Sequence, residues 1–217
     1  MSRKLVHIAV LISFLFGVLT LNAQNLSDIP KTGLIKLMVD SFENQICSYY
    51  SIEKENSNEA FFKYVNDFRA NNINFKEITS KEELELLEVS NKTLKDYIWI
   101  TNKEKNERFF KNYEEENQIQ IIEVNDSREK NTKEPLHTNE VSVNYFDEYS
   151  NKLLEETKVK DLKEILATLK EMPDTSPYTT SFSFTYLNKE SYNDSSLKTF
   201  IAFELYYTVL NILNKNE

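Results

Sequence analysis

Cys47 and His137 are the only thiol and the only imidazole after residue 23, and 90 positions separate them. Transition-metal sites draw mainly on these two residue types and use three or four ligands. A site here would have to rely on carboxylates for most of its ligands. As a nucleophile, Cys47 would need a basic partner, and His137 alone could supply one. Cys47 stands in "ENQICSYY" beside Ile46, Tyr49 and Tyr50. That setting reads as a small buried hydrophobe, with an intermolecular bridge as the competing use. His137, between Leu136 and Thr138 in a polar stretch, reads as a surface histidine without catalytic duty.

Glycine is equally scarce. Gly33 is the only one after residue 23, whereas phosphate-cradling loops and the strained elbow of serine hydrolases need several. Those chemistries are excluded. What remains is a pair of carboxylates of the kind that hydrolyses sugars. With 35 acidic residues, some pair at a suitable separation arises without any catalytic purpose. The run Tyr113–Asn117, "YEEEN", lacks the alternating acidic spacing and central glycine of a calcium loop, and reads as a solvated charge run. Trp99 is the only tryptophan, which weakens the case for a sugar cleft built on flat aromatic platforms. The sequence thus assigns no catalytic, cofactor-binding or metal-ligating residue.

The elements that would position any site are better marked. Leu34, Leu37, Met38, Phe42 and Ile46 form one helical stripe, and Phe61, Tyr64, Val65 and Phe68 form a second after an Asn56 cap with Glu59 three residues on. Ser80 and Glu83 stand in capping-box spacing ahead of Leu84, Leu87 and Val89. The period then changes. "DYIWIT" (96–101) and "QIQIIEV" (118–124) predict strands, and the charged connection between them has room for a third around Phe109–Tyr113. The nearly apolar-free stretch 126–140 predicts a polar surface loop.

Beyond it, Val141, Val143 and Tyr145 alternate as in a half-buried strand. A helix over 147–156 leads to a second helix carrying Val159, Leu162, Ile165, Leu166, Leu169 and Met172, stopped by Pro173. "TTSFSFTYL" alternates Phe182, Phe184 and Tyr186 and predicts a strand. The last element, capped at Ser195 or Ser196, is apolar around most of its circumference and predicts a helix at the centre of the core. Lys198 and Glu204 make it a poor membrane span. The expectation is a single α+β domain over 24–217, helix exceeding strand, with a mostly antiparallel sheet on amphipathic helices; an all-α bundle is the fallback.

Residues 1–23 have the parts of a cleavable signal peptide. Arg3 and Lys4 precede an apolar run to Leu21, and Ala23 closes it where the chain turns polar. Cleavage after Ala23 predicts a secreted or periplasmic protein with no transmembrane segment in the remainder. That remainder has 24 basic against 35 acidic residues, so its field repels phosphate backbones and anionic membranes. Nucleic acid is excluded as a partner, and no cofactor is indicated. The composition points to an exported, non-catalytic protein that binds another protein or a cell-envelope component. A small carboxylate-dependent hydrolase acting on glycans, and a dimeric interaction module, are the alternatives.

Overall fold

The computed structural model describes residues 26–117 and 140–214. The predicted signal segment, the strand at 118–124, the polar loop up to residue 139 and His137 lie outside the described residues. Helices dominate, and the only sheet among the described residues is one antiparallel pair.

Helix α1 (Lys31–Tyr50) buries Leu34, Met38, Phe42 and Ile46, one residue per turn on the predicted stripe. With glycine scarce, polar residues take the left-handed turns. Ser51 ends α1 at φ 55°, and Asn71 and Asp96 take φ 56° and 63°. Helix α2 (Ser57–Arg69) buries Phe61, Tyr64, Val65 and Phe68 as expected, but the Asn56 side chain makes no capping bond. After the short α3 (Phe75–Ile78), α4 (Lys81–Thr93) opens on a complete capping box. Ser80 Oγ accepts from the Glu83 amide at 3.3 Å, and Glu83 Oε2 accepts from the Ser80 amide at 3.0 Å. Its buried leucines are Leu86 and Leu87, while Leu84, expected inside, faces solvent.

Strand β1 (Trp99–Thr101) pairs with β2 (Val141–Val143), Ile100 opposite Ser142. Among the described residues the sheet is therefore smaller than anticipated, and two predicted strands are helical. Phe109–Tyr113 lies inside α5 (Asn102–Asn117). The cause is a second capping box. Thr101 Oγ1 accepts from the Glu104 amide at 3.2 Å, and Glu104 Oε2 accepts from the Thr101 amide at 2.9 Å, which starts a helix directly after β1.

Helices α6 (Glu148–Glu156) and α7 (Lys160–Glu171) form where expected, the latter ending before Pro173 and burying Leu162, Ile165, Leu166 and Leu169, whereas Met172, expected on the same stripe, follows the helix and is exposed. The strand expected at 179–187 is instead α8 (Pro177–Ser181) followed by a 3-10 turn, Phe182–Phe184. Ser176 caps α8 by accepting from the Thr179 amide at 3.1 Å, and Pro177 fits the first helical position, where no N–H is needed. The helical turn splits the aromatic set. Phe184 is buried, whereas Phe182 and Tyr186 are exposed.

The chain ends in one helical rod made of α9 (Ser195–Ile201), a π-helical segment (Ala202–Tyr207) and α10 (Thr208–Asn214). Its cap is Asp194, not Ser195 or Ser196: the carboxylate accepts from the Leu197 amide at 2.9 Å. Every residue from Phe200 to Thr208 is buried. Phe42 stacks on Tyr206 with ring centroids 4.5 Å apart, and Trp99 packs on Phe203 at 5.5 Å. Such pairs each contribute about 1 kcal/mol beyond the area they bury. Cys47 belongs to the same core, and burial pushes its thiol above the usual range. Among the described residues no helix is long and apolar enough to cross a membrane.

Candidate functional site

A π segment widens a helix by one residue per turn and leaves carbonyls in need of donors, a geometry that recurs at functional sites. Here the donors are local and tertiary. Phe203 O accepts from both the amide and the hydroxyl of Thr208, the latter at 2.8 Å, and Leu205 O accepts from the Tyr64 hydroxyl at 3.1 Å. The widened turn carries Glu204 and Tyr206, about half a turn apart, toward opposite flanks of the rod.

On one flank the Tyr206 hydroxyl donates to Glu83 Oε2 at 2.7 Å, the same oxygen that holds the Ser80 amide. Glu83 is 0% exposed, and its Oε1 has no hydrogen-bond partner. Burial raises its carboxyl to about 7, against the opposing pull of the Ser80 and Tyr206 bonds.

On the other flank Glu204, 3% exposed, accepts hydrogen bonds from the Tyr145 hydroxyl on Oε2 and from Thr180 Oγ1 on Oε1, the latter at 3.2 Å. Burial raises this carboxyl as well, opposed by Tyr145, by the charge of Lys105 and by Thr180. Burial and the Glu204 carboxylate together push the Tyr145 hydroxyl far above its usual range. Lys105, on the first turns of α5, is only 4% exposed, an uncommon state for lysine. Burial lowers its pKa, and Glu204 and then Asp174 oppose that shift. No described acceptor lies within hydrogen-bond or ion-pair distance of its ammonium.

Lys105 lines a cavity of about 360 Å³, together with Val141 and Ser142 of β2, Asp174, Pro177 and Thr208. Thr208 ties this wall to the π segment. Its hydroxyl is held by Phe203 O, and Ser142 Oγ is held by Asn102 Oδ1 at 3.1 Å, so the unspent donors are those of Lys105 and Asn106. A second cavity, of about 300 Å³, shares Ser176, Pro177 and Ile212 with the first and adds Phe68, Phe75 and Tyr178. A third, of about 100 Å³, is lined by Tyr149 and Ser196, whose hydroxyls have no partner among the described residues.

None of these polar residues is marked as a site by the sequence. The acidic run 113–117 forms the end of α5. The aromatic residues of the last two predicted elements differ in exposure. Phe203–Tyr207 is wholly internal, while Tyr178, Phe182 and Tyr186 are exposed, with Tyr178 edge-on to Phe182 at 5.1 Å. Among the described residues no group of three or more His, Cys, Asp and Glu side chains is placed to hold a metal ion. Glu83 and Glu204, the two buried acids, do not converge on a cleft: neither lines the cavities described above. Comparison with known protein families, with curated proteins and with solved structures finds no match.

Proposed function

We propose that the chain is an exported, non-catalytic binding protein. It is a single α+β domain, mostly helix around a small antiparallel sheet, that takes up a small polar component of the cell envelope or its surroundings in the cavity over Lys105. One observation carries this reading: Lys105, a lysine only 4% exposed, presents its ammonium, without an acceptor among the described residues, on the wall of a cavity of about 360 Å³. A buried charge without a hydrogen-bonded partner is costly, and a ligand acceptor removes that cost. The volume falls in the range of small-molecule sites, about 300–1,000 Å³. Export is supported by the basic, apolar and small-residue order of residues 1–23. Hydrolysis by a carboxylate pair has less support, because Glu83 and Glu204 face opposite flanks of the terminal rod.

The test combines location with binding. Amino-terminal sequencing of the native product is expected to begin near Gln24. In an NMR titration with a mixture of small polar metabolites, amide shifts are expected to cluster on α5, β2 and the Ser176–Pro177 turn, and the bound compound is expected to be recovered unchanged. Conversion of that compound, or shifts confined to the opposite face, would overturn the reading.

A further inference from the structure

We propose that the cavity over Lys105 is built for a small zwitterion of the amino-acid or short-peptide class, with its carboxylate on the Lys105 ammonium and its own ammonium at Asp174 on the rim. The proposal rests on the reading of this cavity as a binding site and adds the class of ligand.

The floor sets the sign of the buried end. The Lys105 ammonium offers three donors, and the residue as a whole is 4% exposed. Glu204 lies close enough to act on its charge, yet it is not within ion-pair distance. Both Glu204 oxygens are already engaged, one by Tyr145 and one by Thr180. With those oxygens spent, the Lys105 ammonium keeps its donors for the cavity. A ligand carboxylate supplies two acceptor oxygens at once, and charge-assisted bonds of that kind are the strong ones.

The rim sets the sign of the outer end. Asp174 is exposed and lines the same cavity, as does the half-buried Glu140, so the acidic side of the cavity lies outside Lys105. A plain anion entering here meets that negative charge, and a plain cation is turned away by Lys105 within. A neutral hydroxyl compound leaves the ammonium without a countercharge. A molecule with a negative end inward and a positive end outward is favoured at both places. The walls combine apolar Val141, Pro177 and Ile212 with polar Asn102, Asn106 and Thr175, which suits a short hydrocarbon frame carrying an amide or hydroxyl. Pro177 and Ile212 continue into the second cavity, which offers apolar room for a side chain.

The experiment is calorimetric titration of the full chain with dialanine, with its carboxyl-amidated and amino-acetylated forms, and with acetate. It is run on wild type, Lys105→Met and Asp174→Asn, each checked by circular dichroism; Lys105→Gln replaces the methionine variant if that does not fold. Dialanine is expected to bind wild type and to lose roughly 30-fold in affinity on Lys105→Met, as for a charge-assisted bond in a closed site. Amidation is expected to cost wild type a similar factor and to make Lys105→Met no worse. Acetylation and Asp174→Asn are expected to cost less, about 3- to 10-fold, because the rim is open to solvent. Equal binding of dialanine to wild type and Lys105→Met, or no binding of dialanine to wild type, overturns the proposal. Acetate binding as tightly as dialanine, and only when Lys105 is present, also overturns the zwitterion while leaving the cavity as a binding site.

Discussion

Glu83 and Glu204 are both glutamates sealed inside the same core, on opposite flanks of the same helical rod, yet their surroundings ask different things of them. Glu83 has a structural job. One of its oxygens closes the capping box of α4 and anchors the Tyr206 hydroxyl, while the other has no hydrogen-bond partner among the described residues. Glu204 has no cap to form. It sits in mid-helix, its oxygens are held by Tyr145 and Thr180, and the charge nearest to it, Lys105, stands apart on a cavity wall. What separates the two sites is Lys105, a lysine 4% exposed that makes no direct ion pair with Glu204 and stands on a cavity wall.

That contrast can be broken most forcefully at Glu83. Glu83→Ala removes the cap and leaves the Tyr206 hydroxyl with only weaker acceptors, Thr79 Oγ1 at 3.2 Å and Ile78 O at 3.4 Å. Loss of the cap and the stranded donors is expected to cost about 3 kcal/mol in urea denaturation. A cost below about 1 kcal/mol would mean that the capping box does not stabilise the fold.

The pH dependence is the next largest effect. Because the Glu83 carboxyl is raised to about 7 in the fold, the native state holds its proton more tightly than the unfolded chain does. Its contribution is complete below the unfolded value of about 4.5 and is lost as pH rises through about 7. Between about pH 5 and pH 7 the loss amounts to roughly 2 kcal/mol. Glu83→Gln keeps an acceptor but cannot ionise, so its stability curve is expected to be flatter than that of wild type over the same window. Parallel curves would locate the titration elsewhere.

A smaller effect is expected at the start of α5. Thr101→Ala removes the hydroxyl that accepts from the Glu104 amide, and is expected to cost about 1 kcal/mol. Since Lys105 rides on the next residue of that helix, the same variant is expected to weaken ligand binding more than an equally destabilising change in α7.

Much of the helical frame was legible because its signals are local. The α1 and α2 stripes, the Ser80–Glu83 box and the Pro173 stop each depend on residues within a turn or two of one another. The failures are instructive for the same reason. Thr101 and Glu104 repeat the spacing of Ser80 and Glu83, so α5 was readable, but the aromatic pair Phe109–Phe110 between two β-rich runs drew the reading toward strand. Ser176–Pro177 likewise announces a helix start, against the period-two alternation of Phe182, Phe184 and Tyr186. The π segment and the burial of Lys105 had no local signal. The first depends on Tyr64, 141 residues away from the carbonyl it serves. The second depends on β2, α8 and the rod closing around one lysine among several in "NKEKNE". The candidate site was therefore invisible in the sequence, because tertiary packing alone selects which charges lose their water.

The most direct measurement is the unfolding free energy of Lys105→Met against wild type, in ligand-free buffer near neutral pH. If Lys105 is kept for a ligand and not for the fold, replacing the stranded ammonium with an apolar side chain of similar length stabilises the protein by about 1–3 kcal/mol. A destabilisation of similar size would show that Lys105 is a structural partner of Glu204, and would contradict the account.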